Sequence, residues 1–263
     1  MKLLLKISYI GTEYAGFQCQ KDARAIQNVL TEAARAVFGF PCNVTGCSRT
    51  DAGVHAYGFC ATVAPREKRE EPWCTIPTGK VHKAFAPHLP SDIAVVAAAR
   101  VDDGFHPRYD SGGKEYVYKI YCKPADDPFA AGRAYRFRRP ITDEGLMQMQ
   151  KAAESMVGTN DYSAFMASGS KIEDAVRTVY YANVEKSDDG MIYFTVAANG
   201  FLYNMVRIMA GTLLDCAVGK LDCRDIPAII ASKDRNKAGF TAPPEGLYLN
   251  RVFYENEIDW KCN

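Results

Sequence analysis

Histidine is scarce in this chain of 263 residues: four in all, at positions 55, 82, 88 and 106, with no close pair and no His-Glu-x-x-His. That is a poor ligand set for a catalytic metal, and it argues against a metal hydrolase built on Asp51 and His55, whose histidine reads instead as a hydrogen-bonded framework residue, as does His106 beside Phe105. Cysteine is present but without a binding pattern. The nine residues at 19, 42, 47, 60, 74, 122, 216, 223 and 262 contain no Cys-x-x-Cys. An odd, scattered set reads as reduced thiols rather than disulfides or a zinc site, with Cys60 and Cys216 as small core residues. Long apolar runs are missing too. Nothing approaches the roughly 18 uncharged apolar residues of a membrane span, and the run from Met1 to Ile7 is too short for a signal peptide and is broken by Lys6. The expectation is a soluble cytoplasmic protein with no membrane partner. Excess charge is also lacking, since 32 Lys and Arg against 31 Asp and Glu leave a formal +1, so global charge does not point to nucleic acid.

One phosphate-loop resemblance fails on inspection. Gly11-Thr12-Glu13-Tyr14-Ala15-Gly16 has suitable glycine spacing, but Phe17-Gln18 stand where Lys and Ser or Thr would reach the phosphates and a metal ion. The glycines read as a turn after the first strand, with Tyr14, Phe17 and Gln18 packed beneath a cleft or presented to a partner.

What is present is enough apolar residue, 48%, to bury one large core or two smaller ones. Alternation and helical period predict a strand over Lys2–Tyr9, a helix over Ala25–Phe38 capped by Gly39, strands near 43–48, 57–64 and 92–101, and a short helix at Val81–Phe85. A similar order follows: strand Lys114–Tyr121, helix Thr142–Val157 capped by Thr142, strands Val176–Val184 and Met191–Ala197, helices Phe201–Ala217 and Arg224–Ala231, and strand Leu247–Tyr254. The expected class is α+β, with two similar α/β subdomains, 1–104 and 105–263, whose largely antiparallel sheets join around a central cleft.

Chemistry concentrates in residues 46–56, Gly-Cys-Ser-Arg-Thr-Asp-Ala-Gly-Val-His-Ala. Small residues let the backbone turn tightly near a ligand, and the strand-like Gly58–Val63 that follows would give the loop a rigid edge. Asp51 is its one carboxylate and Arg49 its cation. A simple turn with a capping Asp fits the same residues. Arg207, in the apolar Gly200–Arg207 segment, either snorkels to the surface or meets an anion; Asp51 is a candidate, and an Asp so paired stays ionised at neutral pH. Arg133, Arg136, Arg138 and Arg139, beside Tyr135 and Phe137, form a cationic and aromatic cluster that suits phosphates and bases or, equally, a solvated edge strand.

Ser48-Arg49-Thr50-Asp51-Ala52-Gly53-Val54-His55-Ala56 closely resembles the Arg-Thr-Asp-Ala-Gly-Val-His segment of the TruA-type tRNA pseudouridine synthases. Further segments resemble that family in order: Tyr9–Gln18, Leu89–Ile93, Phe105-His106-Pro107-Arg108-Tyr109, Lys114-Glu115-Tyr116-Val117-Tyr118, Asp161–Phe165, Phe201–Gly211 and Pro244–Leu247. The chain departs from the family's pattern at Ala86, where Asn is common, and at Lys114, where Arg is. The resemblance implies the pseudouridine synthase fold and a cofactor-free, metal-free isomerase that detaches uracil at N1 and rejoins it through C5. It implies action on positions 38, 39 and 40 of the tRNA anticodon stem-loop, by a homodimer. It further implies Asp51 as the catalytic carboxylate, Arg207 as its partner, Arg49 as a hold on the flipped nucleotide and Tyr116 as a wall against the uridine ring. Phe105, His106 and Arg108 fall in a matching segment and are expected at the substrate. A uracil inside a stacked arm must be extruded, at a cost of a few kcal/mol, before a protein carboxylate can reach it.

Overall fold

The first strand, β1 (Lys2–Tyr9), buries the successive residues Leu3, Leu4 and Leu5, and Ile7, so both faces of the sheet are covered there. Its partners are β3 (His55–Pro65) and β4 (Ile93–Val101), both antiparallel. The structure, a computed structural model, describes residues 1–169 and 172–262. It falls into two compact units, Met1–Gly112 with Leu249–Asn263, and Gly113–Tyr248. The chain therefore changes unit between Gly112 and Gly113 rather than at 104, and its last segment returns to the first unit.

In the first unit the helix α1 (Ile26–Phe38) ends on Gly39, whose φ of 77° lets its N–H reach the Arg35 carbonyl, the left-handed cap expected of glycine. The strand β2 (Cys42–Gly46) pairs antiparallel with the far end of β3, and the short α2 (Val81–Phe85) packs on β4. The strands run in the order β4, β1, β3, then the last strand of the chain, which belongs to this unit from Leu249 onward.

The second unit begins within β5 (Ser111–Tyr121), which lies antiparallel to a later strand and parallel to the two-residue β6 (Tyr135–Arg136). Thr142 then starts α3 (Asp143–Glu154): its hydroxyl accepts from Gly145 N at 3.1 Å, and Asp143 and Glu144 place negative charge at the positive end of the helix. Next come β7 (Gly158–Asp161), β8 (Val176–Lys186) and β9 (Ile192–Ala198), giving the antiparallel order β5, β9, β8, β7. The helices α4 (Met205–Ala217) and α5 (Ile226–Ser232) precede β10 (Leu247–Tyr254). α3 packs against both α4 and β8. The whole is α+β with largely antiparallel strands, as expected.

One boundary and one burial pattern differ from expectation for identifiable reasons. The periodic segment from Phe201 becomes helical only at Met205, because Asn204 adopts a left-handed φ of 59° that no continuing helix allows. α4 is also buried on every side from Ile208 to Cys216, not on one stripe. The cause is a second segment laid against it. A Cβ on Gly211 would sit 1.8 Å from the Phe240 carbonyl oxygen, and Gly239 N donates to the Thr212 hydroxyl at 2.9 Å.

Gly211→Ala separates two effects of opposite sign. Helix propensity alone would stabilise by about 1 kcal/mol. The backbone clash should outweigh it, at about 1–3 kcal/mol or more, so the melting temperature is expected to fall by several degrees in a thermal scan.

Candidate active site

The loop carrying Asp51 is built on the open end of the β2–β3 pair. Cys47 N donates to the Cys60 carbonyl at 2.8 Å, and Cys60 N reaches Cys47 Sγ at 3.3 Å. Thr50 is buried and shares a hydrogen bond of 2.8 Å with the hydroxyl of Tyr9 at the end of β1, while its carbonyl accepts from Phe17 N at 3.1 Å. Val54 N then closes a turn onto the Asp51 carbonyl at 3.2 Å, with Gly53 supplying the positive φ of 78°. His55, fully buried, accepts from Gly11 N through Nδ1 at 3.0 Å, the framework role expected for it.

Segment 9–17 lies backbone to backbone on this loop. A Cβ on Gly11 would be 2.0 Å from the Val54 carbonyl oxygen, so only glycine lets the two strands of chain approach this closely. Gly53 N donates to the Tyr14 carbonyl at 3.3 Å. Tyr14 in turn donates its hydroxyl to Asp92 Oδ1 at 2.8 Å, and Ile10 N bonds the Asp92 carbonyl at 2.9 Å. Burial first, and the Asp92 carboxylate second, push the Tyr14 phenol up to about 12, so it is a neutral donor near pH 7. Tyr14 and Phe17 are thus packed beneath the loop, and Gln18 is exposed. On either side of the buried Thr50, Arg49 is exposed and Asp51 half-buried.

Phe105, His106 and Arg108 occupy a second turn of the same unit. Phe105 rests on the ring of Tyr254 at 5.3 Å, and Tyr254 donates its hydroxyl to the Pro107 carbonyl at 3.0 Å. His106 Nδ1 accepts from Arg108 N at 3.1 Å and from Tyr109 N at 3.3 Å, which organises the turn. Arg108 and Tyr109 are exposed, with the guanidinium 5.7 Å from the tyrosine ring centroid.

Tyr116 and Arg207 belong to the second unit. Tyr116, on β5 opposite Val196, is buried and meets the edge of Phe201 at 5.1 Å and 85°. Arg207 sits in the first turn of α4, where Nη1 donates to Asn204 Oδ1 and Nε to the Ala242 carbonyl, each at 2.7 Å. Ala242 N returns a bond to the Arg207 carbonyl at 3.1 Å. The guanidinium is therefore fixed by two acceptors instead of snorkelling freely. The predicted residues fall into three local groups: Arg49 with Asp51, Phe105 with His106 and Arg108, and Tyr116 and Arg207 on the second unit. The braces Tyr9, Asp92 and Asn204 escaped the sequence reading. Only Asn204 carried a local signal, an Asn just before an apolar helical run, a residue type that tolerates left-handed backbone.

A family model described as tRNA pseudouridine synthase matches residues 6–110 and 152–255. These ranges contain Arg49, Asp51, Phe105, His106, Arg108 and Arg207, whereas Tyr116 lies between them. The tRNA pseudouridine synthase A of Ruminiclostridium cellulolyticum is 43% identical over 253 residues, spanning 96% of this chain and 99% of that one. That of Staphylococcus aureus is 36% identical over 263 residues, spanning 98% and 94%. A solved Cbf5–Nop10–Gar1 complex overlaps at a TM-score of 0.32 and 13% identity, over 96% of this chain and 60% of that one. The chain belongs to the tRNA pseudouridine synthase family.

Proposed function

We propose that the chain converts uridine to pseudouridine at positions 38, 39 and 40 of the tRNA anticodon stem-loop, as a homodimer, with Asp51 as the catalytic carboxylate. The observation that carries this reading is the pinned Thr50, flanked by an exposed Arg49 and a half-buried Asp51 in a loop braced from beneath. The reaction breaks the bond from C1′ to uracil N1 and forms one from C1′ to C5; the C5 proton leaves and N1 gains one. An ionised oxygen held within a few ångströms of the reacting atoms is what such an exchange needs. Attack on C1′, addition to the uracil ring and removal of a ribose proton all begin from that carboxylate.

Arg207 is assigned as the cation that keeps Asp51 ionised, and two hydrogen bonds already hold its guanidinium in one orientation. Tyr116 supplies a ring against the extruded uracil, with its own rotation limited by the edge contact to Phe201. Arg49 holds the flipped nucleotide by its phosphate, and Phe105, His106 and Arg108 contact the same RNA. The absence, among the described residues, of any helix long and apolar enough to span a membrane fits a cytoplasmic setting.

Asp51→Asn is nearly isosteric and should abolish tritium release from tRNA carrying 5-tritiated uridine while tRNA affinity stays within a few-fold; substantial turnover would refute the assignment. For Arg207→Met, loss of the cation should lower turnover by roughly a hundredfold, corresponding to about 3 kcal/mol. Wild-type turnover in a folded Arg207→Met protein would show that Asp51 does not depend on it.

A further inference from the structure

The segment joining β5 to β6 and running to Arg139 lies between the two ranges matched by the family model, and none of the roles above uses it. Its backbone is tightly organised by one residue. The Asp127 carboxylate accepts from Phe129 N at 3.0 Å and from Lys123 Nζ at 3.1 Å, and its carbonyl accepts from Ala130 N and Ala131 N at 3.0 and 3.1 Å. The next turn closes on the Ala130 carbonyl, which accepts from Arg133 N at 2.9 Å and Ala134 N at 3.0 Å. Ala130 and Ala134 are buried with Tyr121, so the turn is anchored from below. Arg136 closes it from the side, paired with Asp126 and donating to the Pro124 carbonyl at 2.8 Å.

On this rigid support Phe129 is 90% exposed. A lone exposed apolar residue needs no explanation. This one comes with uncompensated charge. Both carboxylates of the segment are committed, Asp126 to Arg136 and Asp127 to Lys123, whereas Arg133, Arg138 and Arg139 are exposed and form no ion pair among the described residues. Phe129 and Arg133 both lie on this pair of turns, on either side of Gly132 with its left-handed φ of 67°. Tyr135 and Phe137, by contrast, pack inward against each other at 6.3 Å, which leaves Phe129 as the aromatic ring presented outward.

We propose that Phe129, with Arg133, Arg138 and Arg139, forms an RNA-contact site separate from the residues of bond exchange: the ring stacks on a nucleobase and the guanidinium groups hold neighbouring phosphates. The proposal rests on tRNA being the substrate. An aromatic platform flanked by cations is the combination that grips single-stranded nucleotides without reading sequence. Tyr116 and Tyr121 are separated by five residues of β5, about 17 Å at about 3.4 Å per residue. The site therefore holds a part of the RNA other than the target nucleotide. A second copy of the chain is a poorer occupant, because a two-fold contact centred on Phe129 would bring the three unpaired arginines toward their own symmetry mates.

The test compares wild type, Phe129→Ala, Phe129→Trp and a triple Arg133→Gln, Arg138→Gln, Arg139→Gln variant, using an unmodified tRNA transcript as probe. Phe129→Ala is expected to weaken binding about tenfold, with the loss carried by KM rather than kcat, and Phe129→Trp to restore it. The triple variant should reduce the slope of log affinity against log salt by about two to three. Unchanged affinity in both Phe129→Ala and the triple variant overturns the proposal. So does a Phe129→Ala protein that sediments as a smaller species while its tRNA affinity is intact, which would give the ring to a second copy. If wild type forms no pseudouridine but the binding losses appear, the catalytic reading fails and the RNA site stands. If wild type is active and both Phe129→Ala and the triple variant bind normally, only the RNA site fails.

Discussion

The buried hydroxyl pair of Tyr9 and Thr50, 2.8 Å apart, ties the candidate catalytic loop to the end of β1. Arg49 and Asp51 are the immediate neighbours of Thr50, so one bond restrains the backbone of both. Leaving a buried hydroxyl unpaired costs about 1–3 kcal/mol, comparable to the roughly 1–2 kcal/mol of backbone entropy lost per ordered residue. One such bond could not order the loop alone. The Phe17–Thr50, Tyr14–Gly53 and Gly11–His55 bonds distribute that cost over the facing segment, which is itself fixed through Asp92. The result is a half-buried Asp51 on a loop whose backbone is held at several points.

The second unit uses the same device in a helical setting. α4 is enclosed because Gly211 and Gly239 let the segment around Phe240 lie directly on it. That segment continues to Ala242, whose carbonyl and N–H both bond to Arg207. Partly burying a guanidinium is costly without acceptors, and Asn204, held in a left-handed conformation just before the helix, supplies one. Helix enclosure and arginine orientation are therefore consequences of one backbone approach.

Much of this was legible in the residues. The strand Lys2–Tyr9, the helix Val81–Phe85, the strand Leu247–Tyr254, the Gly39 cap and the Thr142 cap follow from period and capping chemistry, which act locally. The Gly46–Ala56 segment stood out because small residues surround a single carboxylate. What stayed hidden was set by distant partners. Nothing near Tyr9 announces that its hydroxyl meets Thr50, and nothing near Asp92 announces that it braces Tyr14. The enclosure of α4 is not legible locally, because a glycine inside a helix signals weak propensity, not the carbonyl that needs the space. The arginine run at 133–139 looks like a unit in the sequence, but three-dimensional pairing splits it: Arg136 is structural, and the other three are exposed.

The most direct measurement is the single-turnover rate of Tyr9→Phe on tRNA, alongside its tRNA affinity and circular dichroism. Removal of one buried hydroxyl bond should cut the rate about tenfold or more, as a carboxylate loses its fixed position, while affinity stays within about twofold and the folded spectrum is retained. A Tyr9→Phe protein that turns over at the wild-type rate would contradict the claim that this loop is held in place for Asp51 to act.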